Sequence, residues 1–269
     1  MVFETIALEI EGDWATLTLN RPQARNAMSD ELVDEMHLAL DQLAQASDVR
    51  GVTFRGAGDI FCAGGDLKGF QKNFQAERTP EQVKQSSVII GEMFYKIRTL
   101  PQVTVFLLHG AAVAGGLGMA CAGDIVIAVS GTKMGLSETS IGIVPAQIAP
   151  YVVERVGAFK ARYIMLTSSR FIADEGAGFG LVDFLEADMI AAEARLAEIK
   201  KQVRNCAPNA NAGTKLLLEE TKKRSLEDMI DYAAQAFVDS VRGDEGKEGV
   251  ASFLEKRKPN WATKNEPKD

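Results

Sequence analysis

The sequence is short of histidine, cysteine and surplus positive charge. It holds two histidines, His37 and His109, so a histidine-rich metal site is not expected. Its three cysteines, Cys62, Cys121 and Cys206, share no CxxC or metal-ligand spacing. An odd, sparse count suits a reducing cytoplasm rather than a disulfide framework. Lysine and arginine total 30 against 37 acidic residues, for a net charge of −7. That balance argues against nucleic-acid binding, because phosphate contact draws on a basic surface. The longest apolar runs, Val103 to Leu108 and Ile125 to Val129, fall far below membrane-spanning length. Met1-Val2-Phe3-Glu4 has neither a basic flank nor a long apolar stretch, so no secretory signal is expected. These absences leave a cytoplasmic protein without nucleic-acid or membrane partners.

Two glycine-bearing turns are present, about fifty residues apart. Phe61-Cys62-Ala63-Gly64-Gly65-Asp66-Leu67-Lys68 follows the β-rich run Val52-Thr53-Phe54. His109-Gly110-Ala111-Ala112-Val113-Ala114-Gly115-Gly116-Leu117-Gly118 follows Val103 to Leu108. Each leads into a segment able to form a helix. A helix start leaves backbone N–H groups unpaired and carries the positive dipole end. Two such starts can aim two N–H donors at one oxygen, which is an oxyanion hole built without side chains.

Elsewhere the pattern is strand alternating with helix. Thr5 to Ile10 and Ala15 to Leu19 read as strands joined at Glu11-Gly12-Asp13. Ser29 can cap a helix whose apolar stripe is Leu32, Met36, Leu40 and Leu43. Gly51 to Arg55 is a strand, and Thr79-Pro80 opens a second helix with Val83, Ile90, Phe94 and Ile97 on related faces. Residues 69–79 are mostly polar and are expected to be mobile. Val103 to Leu108 and Asp124 to Val129 read as buried strands, and after Gly157 the chain reads as mostly helical. Strand alternating with helix favours a mainly parallel α/β sheet system. No sequence period is sharp enough to define a repeat.

At the two turns the sequence resembles the enoyl-CoA hydratase/isomerase, or crotonase, superfamily. Further motifs carry the likeness: Leu19 to Ala27, Gly110 to Asp124, Glu138 to Pro145 and Glu248 to Pro259. The resemblance implies a crotonase-like spiral of ββα units over residues 1–195, with the acyl-CoA site. Residues 196–269 would form a helical C-terminal trimerisation region. It implies a homotrimer or dimer of trimers, an acyl-CoA substrate, and no cofactor beyond the CoA of the substrate. By motif position, the N–H groups of Gly65 and Gly115 would hold the thioester oxygen. Ala63 would contact the adenine through its backbone. Arg21 and Ala24 fall where the family contacts the CoA nucleotide, and Phe253 and Lys256 where a neighbouring subunit reaches CoA.

The likeness also implies an acid–base role for Glu138, fourteen residues after Asp124. A second glutamate of standard hydratases would stand at Gly118, which has no side chain. That departure leaves water held by Glu138 and another group, or no water added at all. A Δ3-Δ2-enoyl-CoA isomerase works with one glutamate. Glu138 to Tyr151 resembles hydratases of branched glutaconyl-CoA, those of methylglutaconyl-CoA and isohexenylglutaconyl-CoA, most closely the isohexenyl kind. Gly118 is then expected to leave room for a bulky acyl group. Gln147 either orients water or a substrate carboxylate, or bonds loop backbone. A non-catalytic CoA-binding or RNA-binding protein is the alternative of another class, against which stand the acidic balance and the retained Glu138. His109 reads as structural, Asp66 as a helix-start charge, and Cys62 and Cys121 as small core residues. Lys68 and Lys72 read as solvated, with CoA phosphates or a substrate carboxylate as the alternative.

Overall fold

A computed structural model describes residues 2–66 and 78–263. The expectations for Lys68, Lys72, most of residues 69–79 and the helix start after Asp66 lie outside the described residues.

Strands β1 (Ile6–Glu11) and β2 (Trp14–Leu19) form an antiparallel hairpin. Gly12 turns it at φ 60°. Beyond β2 the sheet is parallel, through β3 (Gly51–Gly56), β4 (Val103–Leu108), β6 (Ile125–Val129) and β9 (Phe184–Glu186), in the order β1-β2-β3-β4-β6-β9. A second sheet joins three short strands, β5 (Ala111–Val113), β7 (Lys133–Gly135) and β8 (Arg170–Ile172). The chain therefore runs repeatedly from a long strand of the first sheet to a short strand of the second and then to a helix. The ββα recurrence is geometric, which is why no sequence period betrays it.

Helix α1 (Asp30–Ala44) starts at Ser29, whose side chain accepts from Leu32 N. It buries Leu32, Val33, Met36, Ala39, Leu40 and Leu43, and so contains the expected stripe. Helix α2 (Pro80–Thr99) opens with a capping box between Thr79 and Gln82. The sheet's core includes Phe54 stacked on Phe106 at 4.5 Å, with Phe61 edge-on to Phe106. Helices α3 (Gly115–Ala122), α4 (Ala149–Leu166) and α5 (Ala173–Phe179) follow, α4 with non-helical dihedrals at Gly157.

The last third is helical: α6 (Met189–Asn205), α7 (Pro208–Glu220), α8 (Leu226–Arg242), α9 (Asp244–Leu254) and α10 (Asn260–Thr263). The boundary expected between residues 195 and 196 falls inside α6. Ala192, Leu196, Ile199 and Val203 of that helix pack on Trp14, Val105, Leu107 and Ile127 of the large sheet. Helix α6 is thus part of the core, and the helical extension begins after it. Short strands β8 and β9 also interrupt the stretch read as helical, three residues each being too few to show a period.

Candidate active site

The second sheet places the two glycine turns side by side. Cys62 forms a parallel bridge with Ala112, and Ala112 is in register with Met134 of β7. Three segments therefore run in one direction at one level. Gly65 and Gly115 each lie three residues past that level, and Glu138 four residues past it. The carboxyl ends of neighbouring parallel strands are where α/β folds bind ligands. Neighbouring strands lie about 4.8 Å apart. Two N–H groups at that spacing can share one oxygen at about 2.9 Å from each.

Among the described residues, local bonding uses neither donor. Met28 bridges Gly65, with Met28 N–H donating to Gly64 O (2.8 Å) and Asp66 N–H to Met28 O (3.0 Å). In this parallel pattern the N–H of Gly65 itself points away from Met28. Gly115 is the first residue of α3, where the helix offers its N–H no acceptor. The turn before it is strained. Ala114 sits at φ 51°, ψ −123°, held by N–H donation to Gly135 O and by accepting from Gly118 N–H. Such a non-glycine conformation costs on the order of 1–3 kcal/mol and turns the next N–H outward. The turns touch: a Cβ on Gly64, itself at φ 92°, would stand 2.9 Å from Ala114 Cβ and 3.7 Å from Gly115 N. Gly65, Ala114 and Gly115 are all partly exposed.

Glu138 opens a short 3₁₀ turn, Glu138–Ile141. The neighbouring Thr139 Oγ1 donates to Met165 O (2.6 Å) and pairs with Ser168 Oγ (2.7 Å), tying the turn to the end of α4. Glu138 Oε2 is buried without a hydrogen-bond partner among the described residues. Burial raises the Glu138 pKa above the ordinary carboxylate value, against a smaller opposing backbone hydrogen bond. A desolvated carboxylate with an unused oxygen is suited to take and return a proton.

The other expected residues divide. Ala63 N–H donates to Arg25 O at 3.1 Å, which pairs Ala63 with the residue after Ala24. Arg21 is turned inward: Nη1 donates to Ala27 O (2.6 Å) and Nη2 pairs with Asp66 (3.4 Å). Its guanidinium braces the first loop, and Asp66 answers Arg21. Gln147 Nε2 donates to Ser87 Oγ on α2 at 2.9 Å, and among the described residues its side chain bonds no loop backbone. Gly118 leaves no empty room, because Ile148 Cβ stands 2.5 Å from where a Gly118 Cβ would sit. Phe253 is 83% exposed at the end of α9, and Lys256 follows at φ 54°. His109 Nε2 donates to Gly58 O at 2.9 Å, while Nδ1 is buried without a partner among the described residues. The Cys62 and Cys121 thiols are pushed up to about 12 by burial, as suits inert core residues. Among the described residues no cluster has metal-binding composition, and no helix is long and apolar enough to cross a membrane.

Sequence reasoning missed Met28 and Ile148. Met28 pairs its backbone with Gly65 and lays its side chain against Gly115, with Sδ 3.7 Å from the Cβ direction there. No local signal in Asn26-Ala27-Met28-Ser29 announces that role.

Comparison with known proteins gives the class. The enoyl-CoA hydratase/isomerase family model matches residues 9–264, and the chain belongs to that family. AtuE of Pseudomonas aeruginosa has a solved structure similar at TM-score 0.93 and 44% identity, covering 96% of this chain and all of that one (100%). An enoyl-CoA hydratase/isomerase from Marinobacter aquaeolei is similar at TM-score 0.91 and 36% identity, over 96% and 99% of the two chains. A Thermus thermophilus protein assigned as an enoyl-CoA hydratase is 33% identical over 251 residues, 93% of this chain and 98% of that one.

Proposed function

We propose that the protein hydrates the 2,3 double bond of an enoyl-CoA thioester. Attack of water at C3 moves the alkene electrons onto the thioester oxygen. The N–H groups of Gly65 and Gly115 stabilise that enolate more than the neutral carbonyl, and Glu138 handles the proton. One such donor is worth about 2.7–4 kcal/mol in other enzymes. The buried, unpartnered oxygen of Glu138 is the observation that carries this reading.

The wording of Glu138 to Tyr151 supports a branched glutaconyl-CoA, isohexenylglutaconyl-CoA first, as substrate. Ala63 contacts the adenine through its backbone, Arg21 and Ala24 lie at the CoA nucleotide, and no cofactor is needed beyond the CoA of the substrate. Exposed Phe253 and Lys256 complete the nucleotide end of a neighbouring copy in a trimer or dimer of trimers. The enzyme works in the cytoplasm.

The Δ3-Δ2 isomerase is the second reading, favoured by one observation. Ile148 fills the place in front of Gly118, so Glu138 works without a second carboxylate there. Incubation with crotonyl-CoA, a branched glutaconyl-CoA and a 3-enoyl-CoA, read by mass, decides between them. Gain of one water supports hydration. A migrated double bond at unchanged mass supports isomerisation. Neither product from any thioester removes both.

A further inference from the structure

Three glycines around this site leave a gap where a Cβ would stand, and a side chain from another segment occupies each. Met28 Cε lies against Gly115. Ile148 lies against Gly118, its Cβ and Cδ1 2.5 and 3.4 Å from the Cβ position. Gln147 lies against Gly91 of α2, its Cδ 2.9 Å and Nε2 3.5 Å from that position, and is anchored on Ser87. Gln147 and Ile148 are consecutive. The segment that follows the Glu138 turn is therefore keyed into α2 and α3 by adjacent side chains.

Gly115 and Gly118 are three apart on α3 and share a face, about 5–6 Å from each other. Met28 and Ile148 thus lie side by side over the first turn of the helix that offers the Gly115 N–H. Both are apolar and buried. Ile148 is branched and stiff, and the Gln147–Ser87 bond fixes the residue before it. Met28 is unbranched and adaptable. A charged group turned toward Met28 and Ile148 would meet hydrocarbon, which solvates no charge.

We propose that Met28 and Ile148 form the specificity-determining wall of the acyl site. An aliphatic branch of the acyl group packs against them, and an ionised group of the substrate points elsewhere. The inference rests on the acyl-CoA reading above.

The test measures dissociation constants of saturated, non-reacting acyl-CoA thioesters by calorimetry: straight-chain, methyl-branched and terminally carboxylated. Wild type is compared with Ile148→Ala, Ile148→Val and Gly91→Ala, with melting curves to verify folding. Ile148→Ala should shift the branched-to-straight affinity ratio toward the branched thioester by about tenfold or more, the scale of a methylene-sized change in an apolar pocket. Ile148→Val should shift it less, in the same direction. Gly91→Ala should also shift it, by displacing Gln147. Equal effects on every thioester, or none, in the folded Ile148 variants would overturn the wall. Wild type that binds no acyl-CoA overturns the wall along with the acyl-CoA reading. Wild type that binds thioesters but adds no water removes hydration alone, and the affinity ratios still decide the wall.

Discussion

Ser29 caps a helix of 15 residues and Ser225 one of 17, each by accepting an N–H three residues on. Both helices carry acidic residues in the first turn and an apolar stripe. Helix α1 buries six residues of its stripe. Helix α8 buries none, and Leu226, Ile230, Phe237 and Val241 stand exposed along one side. Local rules thus make two similar helices, and only tertiary surroundings separate them. An apolar stripe is a demand for a partner; α1 meets it within the chain and α8 does not. The site divides the same way. Its proposed reacting end, Gly65, Gly115 and Glu138, comes from three neighbouring parallel segments of one chain. The positions expected at its nucleotide end, Phe253 and Lys256, are exposed at the end of α9.

The largest effect is expected where the stripe is closed. Leu40→Ala in α1 should cost about 2–5 kcal/mol in urea unfolding, by emptying a fully packed place. The loss should not depend on protein concentration. A cost below about 1 kcal/mol would mean that α1 is less committed to the core than its burial shows.

Glu138 is the open group within the closed half. Glu138→Gln should lower kcat by about 10²-fold or more with substrate affinity retained. Its folded pKa is raised, so ionisation opposes folding. The stability present below the unfolded pKa is lost as pH rises through the folded pKa. The glutamine variant lacks that loss, so at pH 8 its melting temperature should be no lower than wild type. As pH falls through the raised pKa, wild-type kcat/KM should decline, at a pH above the ordinary carboxylate range. A variant with full activity would remove Glu138 from the chemistry.

A smaller effect is expected in α8. Phe237→Ser should leave the unfolding of the core unchanged and weaken assembly, seen as a lower mass by light scattering on dilution. If wild type is already a single chain at micromolar concentration and fully active, the open stripe has no partner of its own kind. The smallest effect concerns thiols. With Cys62 and Cys121 buried, one thiol per native chain, the exposed Cys206, should react with a disulfide reagent, and three after unfolding.

Much of the closed half was legible before the structure. The stripe of α1 and the cap at Ser29 follow from periodicity and capping chemistry, and the strands expected at Val103 to Leu108 and Asp124 to Val129 from their apolar runs. The glycine turns were legible because glycines after β-rich runs mark strand ends. What escaped was set by contacts distant in sequence. The second sheet consists of three-residue strands with no readable alternation. Ile148 reaches Gly118 from thirty residues away, and Gln147 reaches Ser87 from sixty. The bracing of Ala27 and Asp66 by the Arg21 guanidinium also escaped, since loop geometry rather than residue type sets it.

The proposed reaction depends most on the backbone donors of Gly65 and Gly115 polarising a thioester carbonyl. Infrared difference spectra of a 13C-carbonyl-labelled enoyl-CoA bound to Glu138→Gln, where turnover is suppressed, test it directly. The carbonyl stretch is expected below that of the same thioester in water, moving back toward the water value when Gly115→Val displaces the second turn. A bound carbonyl at the water frequency, unaffected by Gly115→Val, would contradict it.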